Sequence, residues 1–450
     1  MQRRQFLATI LAAGATASAQ NRPTRPNVII VLADDLGYGD LGFQGAKDIP
    51  TPHLDQLART GVRFSNGYVS HPFCSPTRAG LLTGRYQQRF GHENNPKYDP
   101  RDEVAGLPKK ETTLADVLQR AGYITGHVGK WHLGATPGFH PVSRGFTDSF
   151  GFLGGGHDYF EQQMEGEPRE YLIPLHRNRT PVAESEYLTD ALSREAAAFV
   201  EQNKARPFLL YLAYNTPHTP LQVPEKYLSR FAGIADEKRR KYAAMVSSLD
   251  DGVGRLMGAL AKAGIEENTV VFFLSDNGGP VGINGSTNTP LRGAKGSVYE
   301  GGIRVPFVAR WKGRWKPGVR KDVVTSLDLF PTIAGLAGAV VPPEVRLDGV
   351  DLSAQLGGRP AGSNERRLFW RTGGGASFAM REGNYKLVRP PGSTKAELYD
   401  LAADVAESKD LAAAQPARVK RMQAALDQWN KGLIAPLFES PRPAAGKKKN

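Results

Sequence analysis

One cysteine, Cys74, occurs in the 450 residues, within "HPFCSPTRAGLLTGRY" at 71–86. Ser75 and Pro76 read as a helix entrance, with Pro76 near the first helical position and "RAGLLTGR" continuing the helix. A side chain at such an entrance meets free backbone N–H groups and a dipole that favours an anion. Arg78 adds a fixed fork of donors suited to sulfate, phosphate or carboxylate. Oxygen donors form a second set. Asp34 and Asp35 end the run "NVIIVLADD", and Asp276 and Asn277 end "TVVFFLSDNGG". Carboxylates converging without histidine or thiolate suit a hard cation, calcium before magnesium. Lys130 and His132 in "GKWHLG" stand two apart, so on an extended segment both face one side. Singly these features are ordinary. A lone cysteine is usually a small buried hydrophobe, "DD" a turn or cap, and "DNGG" a loop. Together they predict anion chemistry beside a bound cation.

The elements that must position them follow from the apolar pattern. "NVIIVLADD" is short, β-branched and continuously apolar, which predicts a buried parallel strand. "YITGHVGKWHLG", "PFLLYLAYNTPHTP" and "TVVFFLSDNGG" repeat the pattern, while "TPHLDQLARTG", "TTLADVLQRAG" and "KYAAMVSSLDDGVGRLMGALAKAG" read as helices. Alternating strands and helices predict an α/β sheet covered on both faces, with its site beyond the carboxyl ends of the strands. His218, in "PHTP", ends one more of these runs. After about residue 360 the pattern changes. "RLFWRT", "SFAMREGNYKLVRP" and "ELYDL" predict short antiparallel strands, with a turn at Glu382-Gly383-Asn384, and "PARVKRMQAALDQWNKGL" a final helix.

Composition bounds the class. Hydrophobic residues make up 40%, with 50 Gly and 32 Pro, which indicates a globular, loop-rich chain. A single cysteine excludes an internal disulfide framework and any multi-cysteine zinc site. The net charge is +13, but no nucleic-acid motif accompanies it, so a polyanionic substrate fits better than DNA or RNA. "MQRRQFLATILAAGATASAQ" reads as a secretion signal over 1–19, and "RRQFL" resembles a twin-arginine signal. No later segment is long and apolar enough to span a bilayer. The expected product is exported, periplasmic or secreted. Expected domains are a catalytic unit over 20–360, a small unit of antiparallel sheet plus helix over 361–437, and a basic tail over 438–450.

"CSPTRAGLLTGR" resembles the signature of the formylglycine-dependent sulfatases, C-x-P-x-R followed by Leu-Thr-Gly-Arg. "PNVIIVLADDLGYGDLG", "TPHLDQLARTGVRF", "GKWHLG", "PHTP", "SDNGG", "LRGAKGSVYEGGIRVPF" and "ELYDL" are similar to further family blocks, in the family's order, over nearly the whole chain. The resemblance, nearest to arylsulfatase and N-acetylgalactosamine-6-sulfatase relatives, implies an alkaline-phosphatase-like α/β fold. Its parts are a large mixed, mostly parallel sheet flanked by helices and a smaller C-terminal α+β domain with an antiparallel sheet. It implies a sulfuric ester hydrolase in which a maturing enzyme oxidises Cys74 to formylglycine, whose hydrate is the nucleophile. It implies one calcium ion on Asp34, Asp35, Asp276, Asn277 and residue 74. Arg78 then stabilises the diol, Lys130 binds sulfate, and His132 assists proton removal. His218 and Lys295 contact the sulfate and the leaving oxygen, either one serving as general acid.

The pattern is departed from at Thr77, where serine or alanine is commoner, and at Gly156. Several arylsulfatase relatives carry serine before the His-Asp pair that is His157 and Asp158 here. His157 itself is expected to be a solvent-exposed loop residue, and the polar stretch "FGHENNPKYDPRDE" is expected to shape the substrate pocket. The implied substrate is a sulfated carbohydrate, with a galactose-type 6-sulfate first among candidates. A phosphonate or phosphate ester hydrolase of the same superfamily and a non-catalytic binder of sulfated glycans are the alternatives. The single-cation donor set and Cys74 favour sulfate, and no residue of the catalytic set is lost.

Overall fold

The computed structural model describes residues 25–164, 169, 171–359 and 366–439. The expected secretion signal, the expected domain boundary near 361 and most of the basic tail lie outside them. Ten strands form the main sheet: β1 Asn27–Ala33, β2 Val62–Tyr68, β3 Ile124–Lys130, β4 Asp148–Phe152, β5 Leu175–Arg177, β6 Thr180–Val182, β7 Phe208–Ala213, β8 Thr269–Ser275, β9 Phe307–Trp311 and β10 Gly318–Thr325. Their spatial order is β10-β2-β9-β8-β1-β7-β3-β4-β5-β6. The centre, β8-β1-β7-β3-β4, is wholly parallel, and antiparallel pairs occur at β8–β9, β2–β9, β4–β5 and β5–β6.

The continuous apolar runs are explained by burial on both faces. Along β1, Val28, Ile30 and Leu32 enter one core, while Ile29, Val31 and Ala33 enter the other. The first core is roofed by helices Cys74–Thr83, Leu114–Arg120 and Leu329–Ala337. Helices Pro52–Arg59, Leu188–Asn203 and Glu237–Lys262 roof the second. Each fully buried Val, Leu or Ile contributes about 1.5–3 kcal/mol, so both faces of β1, β7 and β8 are strongly held. The register is flush as well. Ala33 pairs with Ser275, and Leu32 and Gly129 both pair with Ala213. Residues just after β1, β3, β7 and β8 therefore emerge at one level.

A second sheet comprises β11 Arg367–Thr372, β12 Ser377–Glu382, β13 Tyr385–Arg389 and β14 Glu397–Asp400, antiparallel in that order. The predicted turn is a two-residue hairpin loop whose Gly383 has φ 59°, the left-handed conformation that such a turn requires. One face packs Leu368, Trp370 and Val388 on Tyr68 and Ile303 of the main body. The other packs Met380 and Leu387 on Met422 and Leu426 of helix Pro416–Asn430. A buried ionic cluster joins the sheets. Lys386 reaches Glu300 and Glu407 at 2.9 Å each, and the Tyr68 hydroxyl donates to Glu300 at 2.6 Å.

Candidate active site

The flush register brings the predicted residues together. Asp34 and Asp35 follow β1, Asp276 and Asn277 follow β8, Lys130 closes β3, and His218 lies beyond β7. Cys74 arrives from the other layer. Its helix begins at Cys74 itself, with Phe73 as N-cap in extended conformation. The expected entrance is thus corrected. Cys74 occupies the first helical position, Ser75 the second and Pro76 the third, so Cys74 and Ser75 both stand in the first turn, where backbone N–H groups have no partner within the helix. All ten residues of this short helix are buried.

One oxygen or sulfur each from Asp34, Asp35, Cys74 and Asp276 can lie within 4.8 Å of the others. The Cys74 Sγ is 3.4 Å from Asp34 Oδ1 and 3.2 Å from Lys295 Nζ. Lys295 also donates to Asp35 at 2.9 Å, and Lys130 Nζ to Asp34 Oδ2 at 2.5 Å. The Arg78 guanidinium donates twice to Asp276 Oδ2, at 3.1 and 2.8 Å, and once to the Lys130 carbonyl at 2.9 Å. Asn277 donates its amide to Asp35 Oδ1 at 2.7 Å, leaving its Oδ1 buried without a partner. His218 places Nε2 3.6 Å from Asp35 Oδ2, while its Nδ1 lies 2.6 Å from the Thr219 carbonyl oxygen.

Electrostatics follow from this packing. Burial would raise the Asp35 carboxyl, but Lys295 and His218 outweigh it and hold the group at about 2. Burial and the neighbouring Asp34 push Asp276 up to about 6. Burial, with Asp34 alongside, pushes the Cys74 thiol far above its ordinary range. Burial likewise drives His218 down to about 3 despite Asp35, and His132 is driven down by burial and then by Lys130 and Arg78. Like charges crowded in a low-dielectric site repel strongly. Three carboxylates that converge on one point, with a buried, unpartnered amide oxygen on the neighbouring Asn277, suit a hard cation, so the residues fit calcium.

Of the predicted site residues, Asp35 at φ 62° and His132 at φ 59° sit in left-handed backbone conformations. Such strain in non-glycine residues costs about 1–3 kcal/mol and collects at functional sites. The intervening Trp131 is wholly buried in the first core. Lys130 and His132 therefore flank one core anchor, and the extended geometry assumed for the pair ends at Lys130, where β3 stops.

Other parts of the site escaped the sequence reading. The Ser75 hydroxyl donates to the His132 carbonyl at 2.5 Å and lies 2.6 Å from His92 Nε2, and Asn95 Oδ1 accepts from the Ser75 N–H at 3.1 Å. Glu93 is buried against Arg371. His92, Glu93 and Asn95 belong to the polar stretch expected to shape the pocket, and its first half braces the helix entrance. The cue was a His-Glu pair too polar for burial without partners. His157 is also corrected: it is 1% exposed, with Nδ1 and Nε2 against the carbonyls of Asp158 and Ile173. Thr77 is buried and donates to the His71 carbonyl at 2.7 Å, a bond that any hydroxyl there would make.

A doubly covered sheet with parallel centre, presenting a buried helix entrance and a carboxylate cluster at its carboxyl edge, is the architecture of the alkaline phosphatase superfamily. Within it, residues 26–339 match the Sulfatase family model, and the chain belongs to the sulfatase family. It is 36% identical over 409 residues to N-acetylgalactosamine-6-sulfatase of Canis lupus familiaris, covering 85% of this chain and 74% of that one. Arylsulfatase A of Homo sapiens is 38% identical over 403 residues, covering 84% and 77%. Among solved structures, Ps i-CgsB in complex with k-i-k-neocarrahexaose superposes with a TM-score of 0.88 at 38% identity, covering 92% of this chain and 95% of that one. Sulfuric ester hydrolysis is the activity these relationships support.

Proposed function

We propose that this protein hydrolyses sulfate esters of carbohydrates, using formylglycine formed from Cys74 and one calcium ion. The observation that carries the reading is the convergence of Asp34, Asp35 and Asp276 on Cys74, with the unpartnered Asn277 oxygen beside them. When present, the calcium ion supplies Lewis acidity toward a sulfate oxygen and the hydrated formylglycine supplies the attacking oxygen.

The remaining work falls to the chain's own side chains. Asp34, Asp35, Asp276 and Asn277 hold the cation, with residue 74 completing its shell. Arg78, anchored on Asp276 and the Lys130 carbonyl, fixes the position of residue 74 and offsets the carboxylate charge. Lys130 and Lys295 flank the cluster and bind the non-bridging sulfate oxygens as point charges. His132, neutral and held by the Ser75 contact to its carbonyl, accepts a proton from residue 74. On the opposite side His218 and Lys295 face the leaving oxygen, and either one serves as the acid that an alcohol needs in order to depart.

A carbohydrate substrate is supported by the N-acetylgalactosamine-6-sulfatase relatives and by the neocarrahexaose complex of Ps i-CgsB. A terminal sugar of a sulfated polysaccharide, a galactose-type 6-sulfate first, is the specific expectation. Export through the amino-terminal signal, and a sulfatase-maturing enzyme as partner, complete the proposal. Among the described residues no helix is long and apolar enough to cross a membrane.

The test is sulfate release from a panel of defined sulfated galactose, N-acetylgalactosamine and carrageenan oligosaccharides, with 4-nitrophenyl sulfate and a phosphate diester as controls. Peptide mass spectrometry of residue 74 accompanies it. Sulfate release by protein carrying formylglycine is expected. Fully active protein with only unmodified cysteine, or phosphodiester cleavage without sulfate release, overturns the proposal.

A further inference from the structure

Beyond β4 the chain passes the site through Gly154, Gly155 and Gly156, and each lacks a side chain because something else occupies the space. A Cβ on Gly156 would lie 2.4 Å from Tyr171 Cε1 and 3.4 Å from His218 Cε1. No real Cβ tolerates the first distance, so any side chain at 156 requires the Tyr171 ring to move. The Tyr171 ring stands edge-on to the His218 imidazole, with centroids 6.1 Å apart and planes at 78°. That is the favoured arrangement of two aromatic rings, contributing about 0.5–1.5 kcal/mol.

The tyrosine is brought there at a cost. It has φ 65°, a conformation bulky residues rarely adopt, and its carbonyl accepts the Asp158 N–H at 2.8 Å. The same loop is pinned from beneath, where the Tyr159 hydroxyl donates to the carbonyls of Asn215 and His218, both at 2.8 Å. The backbone of His218 is thus braced by Tyr159 and its ring by Tyr171, and Gly156 is the gap that lets the second brace in. Tyr171 is half-buried, so it combines this contact with an outward-facing surface at the side of the site where His218 lies.

We propose that Tyr171, admitted by Gly156, is a positioning residue for His218 and fixes the enzyme's preference for alkyl over aryl sulfate esters. The inference rests on the proposed function, with His218 rather than Lys295 as proton donor to the leaving oxygen. A sugar hydroxyl is a poor leaving group and needs a donor held in hydrogen-bond reach, whereas a nitrophenolate departs with little help. An imidazole held only by its Thr219 and Asp35 contacts is placed less accurately, which penalises the first ester and spares the second.

The experiment uses the matured full chain and compares Y171A, Y171F, G156S, the double variant G156S/Y171A and H218A. Each is assayed on the best sulfated oligosaccharide of the panel and on 4-nitrophenyl sulfate, with thermal midpoints to monitor folding. Y171A is expected to lose about 10- to 100-fold in kcat on the sugar sulfate and less than about 3-fold on the aryl sulfate. G156S, which displaces the ring, is expected to show the same pattern, and the double variant to be no worse than the poorer single variant. Y171F keeps the ring and restores the sugar-sulfate rate. H218A shows the same selectivity, more strongly. Selective loss in H218A with near wild-type Y171A overturns the role of Tyr171 alone. Equal loss on both esters in H218A overturns the assignment of His218, and the inference with it. Equal loss on both esters in Y171A, even with G156S unfolded, reduces Tyr171 to a structural residue.

Discussion

Arg371 of the second sheet and Glu93 of the catalytic body form a buried, forked ion pair, with Nε–Oε2 at 3.1 Å and Nη2–Oε2 at 2.6 Å. The guanidinium also donates to Asn430 at 3.0 Å and to the Ile434 carbonyl at 2.6 Å, and the Gly374 N–H donates to Glu93 at 3.0 Å. Glu93 adjoins His92, which faces the Ser75 hydroxyl beside Cys74. The C-terminal sheet is thereby fastened to the segment bracing the helix entrance.

Removing one partner of such a pair leaves the other charged and buried, which costs about 3–5 kcal/mol. Glu93→Gln should therefore lower the free energy of unfolding by that amount, read from urea denaturation. Replacing both residues with apolar ones should recover part of the loss. A single variant with an unchanged midpoint would show the pair to be energetically idle.

The proposed calcium site predicts a second effect on stability. A ligand that binds only the folded chain stabilises it by RT ln(1 + [L]/Kd), about 2.7 kcal/mol at a hundredfold excess over Kd. Chelator-treated protein should unfold at a lower temperature, recover on adding calcium, and lose activity reversibly. Asp276→Ala should abolish the calcium-dependent shift. A shift that persists in this variant would place the ion elsewhere.

Gly155 makes room for His132 as Gly156 does for Tyr171. A Cβ at 155 would lie 2.7 Å from His132 Nε2. Gly155→Ala should displace the imidazole, at an overpacking cost of about 1–3 kcal/mol, and reduce kcat on alkyl and aryl sulfates alike. Its expected profile thus differs from that of G156S. Turnover at wild-type rate on both esters would exclude His132 from the reaction.

How much of this was readable beforehand depends on range. β1, β7 and β8 announce themselves because burial on both faces demands unbroken apolar runs, and their polar endings mark the carboxyl edge. The flush register then gathers Asp34, Asp276, Lys130 and His218 with little further information. Glu93 and Arg371 stand 278 residues apart and share no local pattern, so only the folded chain pairs them. Gly155 and Gly156 resemble loop glycines in sequence, and their steric meaning lies in rings brought from distant segments. His157 misleads for the same reason. Its partners are two carbonyls, one of them on Ile173, and backbone carbonyls carry no sequence signal.

Buried histidines away from the carboxylate cluster set the acid limit of stability. Burial pushes His71 and His127 down to about 3 and His92 down to about 4, from an ordinary value of 6.5. His127 is enclosed by the rings of Trp131, Phe146 and Tyr211, with Nδ1 3.0 Å from Ser149 Oγ. Because the folded values are depressed, the unfolded chain binds more protons below pH 6.5 and stability falls as pH falls. Their contribution is intact above that pH and is lost progressively through the window down to the folded values. Each histidine should cost about 2 kcal/mol by pH 5. Asp250, raised by burial to about 6, works in the opposite direction over part of the same range. His127→Phe keeps the ring packing and removes one titrating group, so its loss of stability between pH 7 and pH 5 should be smaller than wild type's by about 2 kcal/mol. Urea denaturation at the two pH values measures the difference. Parallel losses in the two proteins would show that protonation of His127 plays no part in acid unfolding.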